Sequence, residues 1–235
     1  MKIGLAAYRF INNDVEYNLS QIKKALKSSK GKVDLLCFGE AFLQGFDSLT
    51  WNYESDKEVA ISADSAEMKK LRRWSREYDA AILLGYIEKE KDKIYSSCAV
   101  LYEGEMIFNY RRISVGWKES SKTDGHYREG ESIKSFTLKN REISIALCGD
   151  LWAYPDRFKT ENLLIWPVYV NYSLDEWIVE EKEYALHAAS IAKDVLMINS
   201  ISDDPVSHGG AFHFKEGETV RKADFDSEEI LIIDF

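Results

Sequence analysis

Three apolar runs in this chain stop abruptly at residues able to do chemistry. VDLLCFGE (33–40) ends at Glu40, FNYRRIS (108–114) carries Arg111 and Arg112, and ISIALCGD (143–150) breaks at Cys148. A carboxylate can take a thiol's proton, a guanidinium can steady a thiolate or a developing oxyanion, and sulfur can attack a carbonyl or nitrile carbon. Sites in α/β sheets form beyond the carboxyl ends of strands, so the three groups have a place to meet. A plain alternative stands beside this one. Cysteine is a small hydrophobe that often edges a core, and strand ends are ordinarily polar. The residue types by themselves leave that choice open.

The elements that would have to position these groups can be read from periodicity. KIGLAAYRF (2–10) reads as a buried strand. Asn13, three before Glu16, marks a helix start, continued by Val15, Leu19, Ile22 and Leu26 and stopped at Gly31. VDLLCFGE is a second strand. Asp64 opens another helix with Met68, Leu71, Trp74 and Tyr78 on one stripe, and AAILLGYIE (80–88) follows as a strand. Alternating strands and helices predict α/β layering. The pattern then changes to hairpins over 95–113, turning at Glu103-Gly104, over 136–148, turning at Lys139-Asn140, and over 210–220. LLIWP (163–167), VLMINS (195–200) and EEILIIDF (228–235) are strand-like. Trp177, Tyr184, Ala188 and Ile191 predict a helix within 175–194. No Pro/Ser-rich linker interrupts the chain, so residues 1–235 read as one domain of mixed sheets with helices outside.

Bulk properties narrow the function classes. A chain of 235 residues, 45% hydrophobic and 13% aromatic, can bury a substantial core and is not disordered in composition. Its net charge of −9 argues against non-specific binding to nucleic acid or an anionic membrane. No run approaches the roughly 20 apolar residues of a membrane span. MKIGLAAYRFINND lacks the h-region and cleavage site of a signal peptide, so a cytoplasmic protein is expected. Cys37, Cys98 and Cys148 form neither a disulfide framework nor a zinc pattern. His126, His187, His208 and His213 have no metal-ligand spacing, and the glycine-containing stretches lack phosphate-loop patterns. No metal is expected.

Five segments, in order, resemble the carbon–nitrogen hydrolase (nitrilase) family: LLCFGEAFLQGF, DKIYSSCAVLYEGEMIFNYRRI, ISIALCGDLWAYP, EYALHAASIAKDVLMINS and HGGAFHFKEGETV. The resemblance implies a four-layer α-β-β-α sandwich, no organic cofactor, and frequent self-association as a homodimer or higher oligomer. It puts the family's catalytic Glu on Glu40 and its nucleophile on Cys148. The family's catalytic Lys falls on Arg112. Arginine keeps the charge and adds donors but does not readily release a proton. Lys118, six residues on, is the alternative cation. Glu119 matches the family's second active-site Glu, with a solvated loop carboxylate as the plain alternative. The Gly149 N–H would help hold an oxyanion, although that glycine could simply permit a tight turn. Trp152 and Tyr172 would line the pocket unless they only pack, and Asp150 would brace the nucleophile turn. The activity implied is hydrolysis of a non-peptide C–N bond, an amide or carbamoyl group of a small molecule, in preference to a nitrile. The arginine also admits a second possibility: a catalytically impaired member that binds small molecules as a regulatory module.

Overall fold

The structure is a computed structural model that describes all 235 residues. The chain begins with β1 (Lys2–Ala7), α1 (Val15–Ser29), β2 (Leu35–Cys37), α2 (Tyr53–Val59), α3 (Ala66–Glu77) and β3 (Ala81–Glu90). β4 (Lys93–Tyr102), β5 (Glu105–Arg111), β6 (Ser135–Leu138) and β7 (Arg141–Ile145) come next, then two short helices, α4 (Asp150–Ala153) and α5 (Pro155–Phe158). The remainder is β8 (Leu163–Val168), α6 (Leu174–Ala189), β9 (Asp194–Asn199), β10 (Ile201–Asp203), β11 (Val206–His208), β12 (Ala211–Lys215), β13 (Glu218–Lys222) and β14 (Glu229–Asp234).

Two six-stranded sheets have the same ground plan. The first runs β14-β1-β2-β3-β4-β5, with β1, β2 and β3 parallel. The second runs β13-β12-β9-β8-β7-β6, with β7, β8 and β9 parallel. Antiparallel strands flank each parallel trio, and β14 returns to pair with β1 in the first sheet. Strand alternation divides the side chains between layers. Ile3, Leu5, Leu35, Cys37, Leu83, Cys98 and Val100 face inward, in one buried cluster with Ile143, Ile145, Ile165 and Leu196 of the second sheet. Leu36, Phe38, Ile82 and Leu84 face outward and receive Leu19, Ile22 and Leu26 of α1 and Met68, Leu71 and Trp74 of α3. On the far side, α6 lays Trp177 on Phe212 and Tyr184 on Trp166. The result is the expected α-β-β-α sandwich, and Cys37 and Cys98 are packing residues at its centre.

The local signals account for most element ends. All three expected hairpins turn on two successive left-handed residues, Glu103-Gly104, Lys139-Asn140 and Glu216-Gly217, which is the backbone that matches strand twist. The helix starts are displaced by one residue. Asp14, not Asn13, caps α1 by accepting from Tyr17 N–H, while Ser65, not Asp64, caps α3. Neighbouring cap-type residues are chemically equivalent in sequence, and only the backbone distinguishes them: Asn13 is left-handed, with φ 61°. The short polar α2 and the β10–β11 ladder carry no periodic signal and were not anticipated. No helix is long and apolar enough to cross a membrane.

Candidate active site

Glu40 and Cys148 both hang from the end of β8. Past β7, Ala146 N–H continues the ladder to Ile165 O and Cys148 N–H reaches Pro167 O at 2.9 Å. Past β2, Phe38 N–H still bonds Leu83 O, and Glu40 N–H crosses to the second sheet, reaching Val168 O at 3.2 Å. Consecutive carbonyls of one strand therefore fix both residues. Each is accompanied by a left-handed, non-glycine backbone: φ is 42° at Cys148 itself and 49° at Ala41, next to Glu40. Such conformations cost of order 1–3 kcal/mol and persist only where the surroundings impose them. Here they turn the chain sharply out of the ladder at the two reactive positions.

The Glu40 carboxylate is fully buried. Its Oε1 accepts from Ser96 Oγ of β4 at 2.8 Å and from Arg112 Nη1 at 2.9 Å. Its Oε2 has no partner. Arg112 lies just beyond β5, also buried, and its Nε donates to Ser114 Oγ at 2.8 Å. Strand alternation separates the arginine pair. Arg111 turns the other way, clamps Glu88 at 2.6 Å and 2.8 Å, and lines a polar cleft of about 530 Å³ with Tyr95 and Glu129.

Asp150 joins the nucleophile turn to the arginine segment. Its buried carboxylate accepts from Leu147 N–H (3.0 Å) and Tyr110 OH (2.6 Å) through Oδ2, and from Ile113 N–H (3.0 Å) and Ser114 N–H (2.8 Å) through Oδ1. The expected brace is therefore present, and it extends to the neighbours of Arg112. Ser96, Ser114 and Tyr110 had not been anticipated. Serines and tyrosines in strands give no sequence signal of which carboxylate or cation they will meet.

Electrostatics set the resting state. Burial first, and Glu40's charge second, push the Cys148 thiol up to about 12, with Arg112 pulling against both. Burial alone would lower the affinity of Arg112 for its proton, but Glu40 and Cys148 more than offset it and hold the guanidinium charged. At neutral pH the site therefore holds a thiol, with a cation on the carboxylate beside it. Tyr172, expected to line the pocket, is half-buried and edge-on to Trp177.

Two of the expected site residues, Glu119 and Trp152, and the alternative cation Lys118 lie away from this centre. Glu119 is half exposed, pairs with Lys122 at 2.8 Å and accepts from Trp51 Nε1 at 3.2 Å; nothing joins it to Glu40, Arg112 or Cys148. Lys118 is turned to Glu129 (2.6 Å) and Tyr127 O (2.8 Å), so Arg112 alone reaches Glu40. Trp152 lies flat on His187, ring centroids 3.9 Å apart, on the α6 side. In the short helix α4 it is about 200° round from the inward-facing Asp150, so it packs against the outer layer. No cluster of groups capable of holding a metal ion occurs.

Residues 2–160 match the family model described as carbon-nitrogen hydrolase. Over 156 residues the chain is 26% identical to glutamine-dependent NAD(+) synthetase of Thermotoga maritima, covering 65% of this chain and 26% of that protein. Over 151 residues it is 25% identical to an (R)-stereoselective amidase of Pseudomonas sp, covering 64% and 52% respectively. It thus spans about a quarter of the synthetase and half of the amidase. Among solved structures, an amidase from Nesterenkonia sp. superposes with TM-score 0.79 at 16% identity, over 100% of this chain and 90% of that one. XC1258 of Xanthomonas campestris, a CN-hydrolase superfamily protein, superposes with TM-score 0.79 at 16% identity, over 99% and 89%. At that identity the likeness speaks for the fold.

Proposed function

Because the chain belongs to the carbon–nitrogen hydrolase family, we propose that it hydrolyses an amide or carbamoyl group of a small molecule through a thioester on Cys148. The observation that carries this is the buried Glu40 carboxylate, with Oε1 held by Ser96 and Arg112 and Oε2 left free. A thiol raised to about 12 needs a base at the moment of attack. Oε2 takes the proton as sulfur bonds to the carbonyl carbon and the C=O electron pair moves to oxygen. Arg112 and the Gly149 N–H, which donates to no protein acceptor, stabilise that oxygen. The intermediate collapses, the C–N bond breaks, and Glu40 returns its proton to the departing amine or ammonia. Glu40 then takes a proton from water as it attacks the thioester, releasing the acid and giving the proton back to sulfur.

Arg112 stays charged throughout, so its part is electrostatic and Glu40 handles every proton transfer. Amides are preferred to nitriles because the Pseudomonas and Nesterenkonia relatives are amidases. The synthetases, glutamine-dependent by name, bring ω-amides into the substrate panel. Self-association belongs to the same proposal: Leu174, Ile178, Val179 and Leu186 are exposed along α6, Ile178 to 78%, and a second copy is the partner proposed.

The test is ammonia release from short amides, ω-amides including glutamine, and N-carbamoyl compounds. Activity is expected in the parent protein and none in Cys148→Ala. On the best substrate, Arg112→Ala is expected to lower kcat by at least about 10²-fold, as for loss of one oxyanion donor, and Lys118→Ala by less than about threefold, within the small effects usual away from a site. The reverse ranking would move the cation to Lys118. Turnover by Cys148→Ala would end the proposal.

A further inference from the structure

The guanidinium of Arg112 uses two of its three nitrogens on the protein. Nε is on Ser114 and Nη1 on Glu40, while Nη2 donates to no protein atom. A planar fork held at two points has no rotation left, so the direction of Nη2 is fixed. What bounds it is glycine on two sides. A methyl group at Gly149 would sit 2.6 Å from Nη2, and one at Gly116 would sit 3.1 Å from it.

Backbone conformation does not explain Gly149. Its φ of −65° and ψ of −4° suit any residue, and the left-handed strain of the turn is carried one position earlier, by Cys148. Gly116, in the short turn Val115–Trp117, has no left-handed φ either. What a side chain would meet at both positions is the same nitrogen. The end of a long arginine ordinarily yields to such a contact. This one is 3% exposed and tied to Glu40 and Ser114, so it yields only by breaking a hydrogen bond.

We infer that Gly149 and Gly116 are positioning residues forming a slot cut for an arginine, and that they fix Nη2 as the side-chain donor presented to the substrate oxygen beside the Gly149 N–H. A lysine in place of Arg112 would end in a single ammonium, without the second fork arm that occupies the slot. The need for glycine at 149 therefore depends on the identity of residue 112. The substrate-facing half of this inference rests on the hydrolase proposal; the steric half does not.

The experiment is a double-substitution cycle over Gly149→Ala and Arg112→Lys, read in two ways. The first is the pH profile of Cys148 alkylation by iodoacetamide, followed by intact mass, which senses the guanidinium's distance from sulfur without requiring turnover. The second is kcat and KM on whichever substrate is found. In the arginine background, Gly149→Ala is expected to move the alkylation midpoint upward and lower kcat at least tenfold with KM little changed. Combined with Arg112→Lys, it should add less than a twofold further change. Gly116→Ala, with the milder contact, should act in the same direction and more weakly, and serves if Gly149→Ala does not fold. Equal effects of the glycine substitutions in both backgrounds, or an alkylation profile indifferent to them, would overturn the slot. Absence of turnover on every substrate would instead count against the hydrolase proposal and leave the alkylation cycle readable.

Discussion

Glu40→Gln is expected to split two properties of Cys148 that usually move together: amide turnover falls by about 10²–10⁴-fold, the span typical of losing a general base, while alkylation of the thiol at pH 8 becomes faster. The sign follows from the charges. Burial is the largest cause of the raised thiol, the Glu40 carboxylate adds to it, and Arg112 opposes both. Glutamine removes the carboxylate's charge, and with it the anion that offsets the guanidinium's pull on sulfur, while its amide oxygen can still accept from Nη1. Losing that charge favours the thiolate, so the midpoint drops from about 12. Below the midpoint, each unit of that fall gives tenfold more thiolate at a fixed pH. Turnover still collapses, because a readily formed thiolate does not supply the proton that the leaving amine needs or the base that activates water. Iodoacetamide rates from pH 6 to 10, beside turnover on the best substrate, check this. Slower alkylation in Glu40→Gln would mean that the carboxylate does not act on the sulfur by charge.

The second large effect falls on stability. Asp150→Ala removes the acceptor for three backbone N–H groups and the Tyr110 hydroxyl at once. A buried donor left unsatisfied costs about 1–3 kcal/mol. With four affected, a loss of more than about 4 kcal/mol is expected, much of the 5–15 kcal/mol that holds an ordinary domain together. Asp150→Asn should lie between, since its amide oxygen can still accept while its NH₂ faces donors. Urea unfolding of the three proteins is the measurement. A loss under about 1 kcal/mol for Asp150→Ala would show that the nucleophile turn and the arginine segment hold without their common carboxylate.

These effects also show what the sequence could and could not convey. The strand ends at Glu40 and Cys148 were visible because short, continuous apolar runs mark buried parallel strands, and the hairpins because glycine and asparagine mark left-handed turns. The identity of the cation was legible in principle: two adjacent arginines at a strand end must face opposite ways, so one of them had to turn inward. Glu119 was not legible. It sits between a single short turn and a loop with no period, and its direction is set by Trp51 and Lys122, one of them 68 residues away. Trp152 misled because a four-residue helix is too short to show a pattern, although Asp150 turning inward already sends Trp152 outward. Gly149 was ambiguous between a tight turn and close approach. The ordinary backbone there, with strain carried by Cys148, favours close approach, with Arg112 Nη2 as the nearest neighbour.

That Cys148 carries the acyl group while Glu40 moves the protons can be read by acid-quenching the protein during turnover, measuring intact mass and mapping the adduct. The expected result is a mass increase equal to the substrate's acyl group, on the peptide containing Cys148, and no increase in Cys148→Ala. Turnover without any adduct under conditions where deacylation is slowed, or an acyl group carried by another residue, would contradict it.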